Sequence, residues 1–328
     1  MCTAISFLTN KHYFGRNLDL EGSFEESVTI TPRNYPFFFR HQKPMTTHYA
    51  MIGTAYICDH YPLYYDATNE KGLSMAGLNF PGYAKYKAFE KSKDNIPPFE
   101  LIPWVLGQCS STSEAKNLLQ STNLLDENFK ETLPSSPLHW IISDAMHSIT
   151  VEPLKNGVKL YENPIGVLTN SPTFDMQLFH LNQYMNLTPY EIPNTFAPGL
   201  DLTRYSRGMG AIGLPGDWSS QSRFVKAAFV SLNSSCKQSE EESVSQLFHI
   251  LSSVEHPRGS VIIGNHLSEI TIYSSCCNTQ QGIYYYKTYD NHQITAVSMH
   301  QENLNSDTLI SYPFRKEFHL FYENQNSR

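Results

Sequence analysis

The chain has 328 residues and a formal net charge of -7, with 40% hydrophobic and 17% charged residues. That length and apolar fraction can build a large core, while the acidic balance and the lack of any Lys/Arg cluster exclude a nucleic-acid partner. No apolar stretch approaches the ~20 residues of a membrane span, and no basic n-region with an apolar run opens the chain, so a cytoplasmic protein with no membrane partner is expected.

The predicted elements begin with a hairpin. Residues 2–9 alternate as a strand, with Cys2, Ala4 and Ser6 on one face and Ile5 and Phe7 on the other; Lys11-His12 turns the chain, and Tyr13 to Leu20 returns beside it. Further strands read at residues 27–32, 49–57 and 73–80, with a Tyr- and Pro-rich loop expected from Asp59 to Tyr65. Helices read from Phe99 to Gln108 and, with Ser111 and Glu114 as a capping box, from there to about Gln120. Short apolar runs at 139–143, 148–152, 158–161 and 166–169 read as strands, two of them joined by the hairpin signal Asn156-Gly157. Helical periodicity follows at 174–187, 221–232 and 239–254, and strands at 269–274, 282–289 and 294–299. Runs of strands alternating with runs of helices predict an α+β protein of largely antiparallel sheets covered by helices. No linker or repeat divides it, so one domain over residues 1–328 is expected.

Six cysteines show no CxxC and no metal-ligand spacing, so reduced thiols and no metal are expected. Cys2 alone has a reason to react. Removal of Met1 would leave it carrying both a thiol (pKa ~8.5) and an α-amine (pKa ~7.7–8.0), which makes one residue nucleophile and base. Position alone also fits an accident of the chain start. The hairpin returns Arg16 and Asp19 to Cys2, the first to favour a thiolate and the second to orient the amine; a surface ion pair is the alternative. Residues three apart face opposite ways, so both reach Cys2 only if the strand ends or bulges between them. Asn79 and Asn170 end strand runs, as oxyanion donors or as turn formers. Arg223 sits near a helix start, against the helix dipole.

Gly208 to Gly213 spells GxGxxG, but a polar stretch precedes it and Pro215 follows, so it reads as a Gly-rich loop with no nicotinamide cofactor. His139 and His147 flank Asp144 on a predicted hairpin and read as structural.

In order along the chain, several blocks resemble one family. They include Met1-Cys2-Thr3, Phe14-Gly15-Arg16-Asn17-Leu18-Asp19, Asn69-Glu70-Lys71-Gly72-Leu73, Ala76-Gly77-Leu78-Asn79-Phe80, Gly166-Val167-Leu168-Thr169-Asn170-Ser171-Pro172 and Gly282-Ile283-Tyr284-Tyr285-Tyr286. Together they resemble the choloylglycine hydrolases, N-terminal-nucleophile enzymes, and the bile salt hydrolase branch more than the penicillin V acylase branch, which tends to carry Tyr where this chain has Asn79. The resemblance implies an αββα four-layer sandwich and a catalytic set of Cys2, Arg16, Asp19, Asn79, Asn170 and Arg223. It places substrate contacts at Leu18, Tyr65, Phe129, Leu133 and Leu138. It also implies no cofactor, a homotetramer, and conjugated bile salts as small-molecule substrates, with acyl transfer to other amines as a possible extension. A penicillin V acylase, or a non-catalytic binder of amphipathic ligands, are the competing expectations.

Overall fold

A computed structural model describes residues 1–237, 239–264 and 266–325. The opening hairpin forms as expected from β1 (Cys2–Leu8) and β2 (His12–Leu20), registered with Cys2 opposite Leu18 and Ala4 opposite Arg16. Strands β3 (Ser27–Thr31) and β4 (Met51–Cys58) follow. The loop expected at Asp59 to Tyr65 is instead mostly strand β5 (Tyr61–Asn69). Only Asp59 and His60 turn, both at positive φ, and the tyrosines that suggested a loop suit a half-buried strand face.

The strand β6 (Ser74–Asn79) is followed by a short β7 (Asp94–Ile96). Helix α1 (Leu101–Leu106) is shorter than expected, because a tight turn over Pro98–Glu100 precedes it and Gly107 closes it. Helix α2 (Thr112–Ser121) carries the expected cap, the Ser111 side chain accepting from Glu114 N–H, and leads into β8 (Thr122–Leu124) parallel to β7. The meander of β9 (Leu138–Ser143), β10 (Ser148–Leu154) and β11 (Gly157–Glu162) turns at Gly157, whose φ of 112° only glycine adopts readily. After β12 (Val167–Leu168), helix α3 (Phe174–His180) ends early and tightens into a turn over Leu181–Tyr184. Helices α4 (Ser220–Leu232) and α5 (Glu240–Ser252) match their periodicity. The chain then forms β13 (Ile262–Ile263), β14 (Leu267–Ser268), β15 (Ile270–Asn278), β16 (Ile283–Thr288), β17 (Thr295–Ser298) and β18 (Ile310–Pro313).

Two antiparallel sheets carry the fold, ordered β12-β1-β2-β15-β16-β17 and β11-β10-β9-β6-β5-β4-β3-β18. Helices α4 and α5 pack on β1, β2 and β15 of the first, and α1 packs on β5 and β6 of the second. One apolar cluster joins the first sheet to Val28, Ile30, Ala76, Leu78 and Ile141 of the second and to Phe224, Leu247 and Leu251 of the helices. Another, with Met51, Met75, Leu101, Val105 and Trp140, fills the space between the second sheet and α1. The layers are thus helix, sheet, sheet, helix. Burial on both faces explains why β1 and β2 read as nearly continuous buried runs.

Candidate active site

The register of β1 and β2 sorts the first residues by face. Cys2, Ala4 and Ser6 share a face with Leu18 and Arg16, whereas Thr3 shares the opposite one with Asn17 and Asp19. Contacts identify the two sides. Ser6 Oγ lies 2.7 Å from Ser143 Oγ of the second sheet, and Asn17 Nδ2 donates to the Leu251 carbonyl of α5. Cys2 and Arg16 therefore face the inter-sheet layer, and Asp19 faces the helices.

Arg16 is fully buried and donates through Nη1 to the carbonyls of Tyr65 and Gly77, both at 2.8 Å. Its Nη2 has no hydrogen-bond partner. Burial alone would weaken this cation; the neighbouring charges of Cys2, Tyr273 and Asp66 outweigh that and raise its pKa. Asp66 is held behind it by the hydroxyls of Tyr273 and Tyr284, each donating at 2.6 Å. Desolvation pushes the Asp66 carboxyl up, opposed by Arg16 and these hydroxyls. The sequence offered no pattern for this clamp, because its members lie on β5, β15 and β16.

Asn170, Asn79, Arg223 and Cys2 form one hydrogen-bonded cluster. The Cys2 backbone N–H donates to Asn170 Oδ1 at 2.9 Å, and Arg223 Nη2 donates to the same oxygen at 2.7 Å. Two donors fix the amide orientation, so Asn170 Nδ2 faces away and donates one hydrogen to the Asn79 carbonyl at 2.7 Å. Its second hydrogen remains. Arg223 is buried and reaches from α4 to the Cys2 carbonyl (2.5 Å), Thr3 Oγ1 (2.8 Å) and the Trp218 carbonyl (3.0 Å). These four acceptors account for a cation placed against the helix dipole. Burial lowers its pKa, opposed by Asp19, Cys2 and Glu269.

Asp19 meets the chain start through its backbone. The Met1 ammonium donates to the Asp19 carbonyl at 2.6 Å and to Glu269 Oε2 at 2.7 Å. The Asp19 carboxylate, expected to face the α-amine, instead accepts from Thr271 Oγ1 at 2.6 Å and lies 3.7 Å from His256 Nε2. His256 Nδ1 is 3.0 Å from Glu269 Oε1. Neither an end nor a bulge of β2 separates Arg16 from Asp19. The irregularity lies in β15, between Thr271 and Tyr273, and the two side chains leave an unbroken β2 on opposite faces, so Asp19 does not reach Cys2 with its carboxylate. Sequence reading missed His256 and Glu269, since nothing local marks them.

Of the expected substrate contacts, Leu18 is paired directly with Cys2, Tyr65 accepts from Arg16, and Leu138 is paired with Asn79. Phe129 and Leu133 sit on a separate loop, joined by the Phe129 N–H to Leu133 carbonyl bond at 3.1 Å. Arg40 ties that loop down through the carbonyls of Asn128 and Phe129. A cavity of about 770 Å³, lined by Phe7, Leu8, His12 and Cys236 at the other end of β1, contains none of the expected site residues. Among the described residues no helix is long and apolar enough to cross a membrane.

The choloylglycine hydrolase family of linear amide C–N hydrolases matches residues 2–312. The chain is 55% identical to the bile salt hydrolase/transferase of Lactiplantibacillus plantarum, covering 99% of this chain and 100% of that one. It is 40% identical to that of Clostridium perfringens, with 99% and 100% covered. The crystal structure of the C2A mutant of the conjugated bile acid hydrolase from Clostridium perfringens superimposes with a TM-score of 0.92 at 40% identity, over 99% of this chain and 100% of the other. A penicillin V acylase from Agrobacterium tumefaciens shares the fold, with a TM-score of 0.76 at 18% identity over 94% and 90% of the chains. With Cys2 at the centre of the cluster and the match running nearly end to end, the chain belongs to the choloylglycine hydrolase family and is a linear amide C–N hydrolase.

Proposed function

We propose that the chain, once Met1 is removed, hydrolyses the amide of glycine- and taurine-conjugated bile salts from Cys2. The hydrogen-bonded link between Cys2, Asn170, Asn79 and Arg223 carries this reading. The Cys2 sulfur attacks the amide carbonyl and its α-amine takes the proton, returning it to the departing glycine or taurine nitrogen. Arg16 favours the thiolate, with Nη2 free for sulfur or substrate. The remaining Asn170 Nδ2 hydrogen and the Asn79 backbone N–H stabilise the oxyanion. Arg223 holds Asn170 and the first peptide in place, and Asn170 Oδ1 accepts from the Cys2 nitrogen, while Asp19, bonded to Thr271, supports β2 from the helix side. Water then releases the bile acid from the thioester; an amino-acid amine in its place would give a new conjugate. Leu18, Tyr65 and Leu138 contact the steroid beside Cys2, with Phe129 and Leu133 on the outer loop.

The reading also takes residues 1–328 as one domain, working in the cytoplasm as a homotetramer. Exposed Met185, Tyr190, Phe196 and Tyr205 on the segment before α4 support association, because large apolar side chains so exposed mark contact surfaces. Light scattering on the purified protein tests it. Intact mass combined with turnover of taurocholate, glycocholate and a phenoxyacetyl amide tests the activity: active protein lacks Met1, and the conjugates exceed the phenoxyacetyl amide. Full activity with Met1 retained would overturn the mechanism, and dominance of the phenoxyacetyl amide would overturn the substrate.

A further inference from the structure

His139 is a polar residue within an apolar strand, Leu138-His139-Trp140-Ile141-Ile142, and it is completely buried. Its ring stacks on Phe80, the residue after Asn79, with centroids 4.1 Å apart and planes 7° from parallel. Its Nε2 lies 2.9 Å from the carbonyl of Thr169, the residue before Asn170. Its Nδ1 lies 3.3 Å from Glu152 Oε1, which also accepts from Phe174 N–H at the start of α3, 2.9 Å away. One imidazole thus touches both strand ends that carry the Asn pair.

Proton placement follows from the partners. The Thr169 carbonyl can only accept, so Nε2 carries a hydrogen. Nδ1 faces the Glu152 carboxyl, and the Nε2 hydrogen lies on Thr169.

We infer that His139 is a positioning residue for catalysis, clamping the Thr169 carbonyl and the Phe80 ring so that Asn170 and Asn79 stay at oxyanion distance from each other. The inference rests on the reading of those two asparagines as the oxyanion donors. Its force is geometric. Asn170 Nδ2 spends one hydrogen on the Asn79 carbonyl, so a shift of either strand end moves the other hydrogen away from the reacting oxygen. Misplacement of about 1 Å at such a centre costs about 10²-fold.

The test uses two side chains that each keep half of the imidazole. In His139→Gln the amide nitrogen stands near the position of Nε2 and can still donate to Thr169; in His139→Asn it stands near Nδ1 and reaches Glu152 instead. With taurocholate, His139→Gln is expected to keep kcat within about threefold, and His139→Asn to lose about 10- to 100-fold in kcat with KM nearly unchanged. A bile-acid C24 aldehyde, whose carbonyl takes up the Cys2 thiol as a hemithioacetal with its oxygen in the same hole, is expected to bind His139→Asn more weakly by a similar factor. Alkylation of Cys2 by iodoacetamide, which develops no oxyanion, is expected to proceed at the wild-type rate. Equal losses in the two variants, a change confined to KM, or slowed alkylation in step with kcat would overturn the inference. Failure of the underlying reading looks different: the aldehyde would then not inhibit the wild-type enzyme.

Discussion

Glu100 is a carboxyl with too little around it. It is only 1% exposed; one oxygen accepts from the Arg40 backbone N–H at 3.1 Å and the other has no partner. Burial pushes its pKa from 4.5 up to about 7, against the pull of that N–H and of the Arg40 cation. For an acid raised in the folded state, the penalty is absent below the unfolded value, grows between pH 4.5 and 7, and is complete above. At about 1.36 kcal/mol per unit the gap amounts to about 3 kcal/mol, an upper figure because buried sites relax. Glu100→Gln removes the charge and keeps an oxygen for Arg40. Urea melts at fixed protein concentration are expected to show the variant more stable by about 2–3 kcal/mol at pH 8 and equal to wild type at pH 4.5. A variant no more stable at pH 8, or an advantage that does not shrink on acidification, would refute the reasoning.

Cys2→Ala is expected to abolish turnover while leaving the thermal midpoint within a few degrees, checked by product analysis and calorimetry. For Asn170→Ala we expect kcat to fall by about 10²–10³-fold, since the oxyanion loses a donor and Arg223 loses an acceptor; steady-state kinetics that kept kcat would remove Asn170 from the mechanism. Glu70 behaves opposite to Glu100. Burial alone would raise it, but the Arg33 guanidinium, at 2.5 Å, and the Ala50 N–H hold its pKa below the usual range. Its stabilisation is present above about pH 4.5 and is lost as the pH falls below that. Glu70→Gln should therefore lower stability at pH 7, by an amount that shrinks as the pH falls below about 4.5, read by the same melts.

What the sequence made legible follows from the range of the interactions. The β1–β2 hairpin, the Asn156-Gly157 turn and the Ser111 cap rest on neighbours in sequence, and all three are present. The helix-covered antiparallel sheets followed from periodicity. The loop expected at Asp59 to Tyr65 failed because its tyrosines are buried by other strands, a tertiary fact. Likewise β15 runs past Ser274 to Asn278 because β2 and β16 flank it on either side, although Ser275 and Asn278 carry no strand signal of their own. Asp66, His256 and Glu269 were invisible for a stronger reason: each supports a residue far away in sequence, and only the folded chain brings them together.

The three-residue spacing of Arg16 and Asp19 shows what such a fold gains from a regular strand. Were both to approach the sulfur, β2 would have to bend beneath it, in the middle of a sheet whose β1, β2 and β15 strands are almost wholly buried. Opposite faces remove that conflict. Arg16 sends its cation into the inter-sheet layer on the Cys2 side, and Asp19 presents its carbonyl to the Met1 ammonium while Thr271 donates to its carboxylate and His256 lies 3.7 Å from it. One regular strand thereby serves the inter-sheet layer with Arg16 and the helix layer with Asp19. Arg223 closes the arrangement from the helix layer, donating to both the Cys2 carbonyl and Asn170 Oδ1 and so tying the first strand to the end of β12.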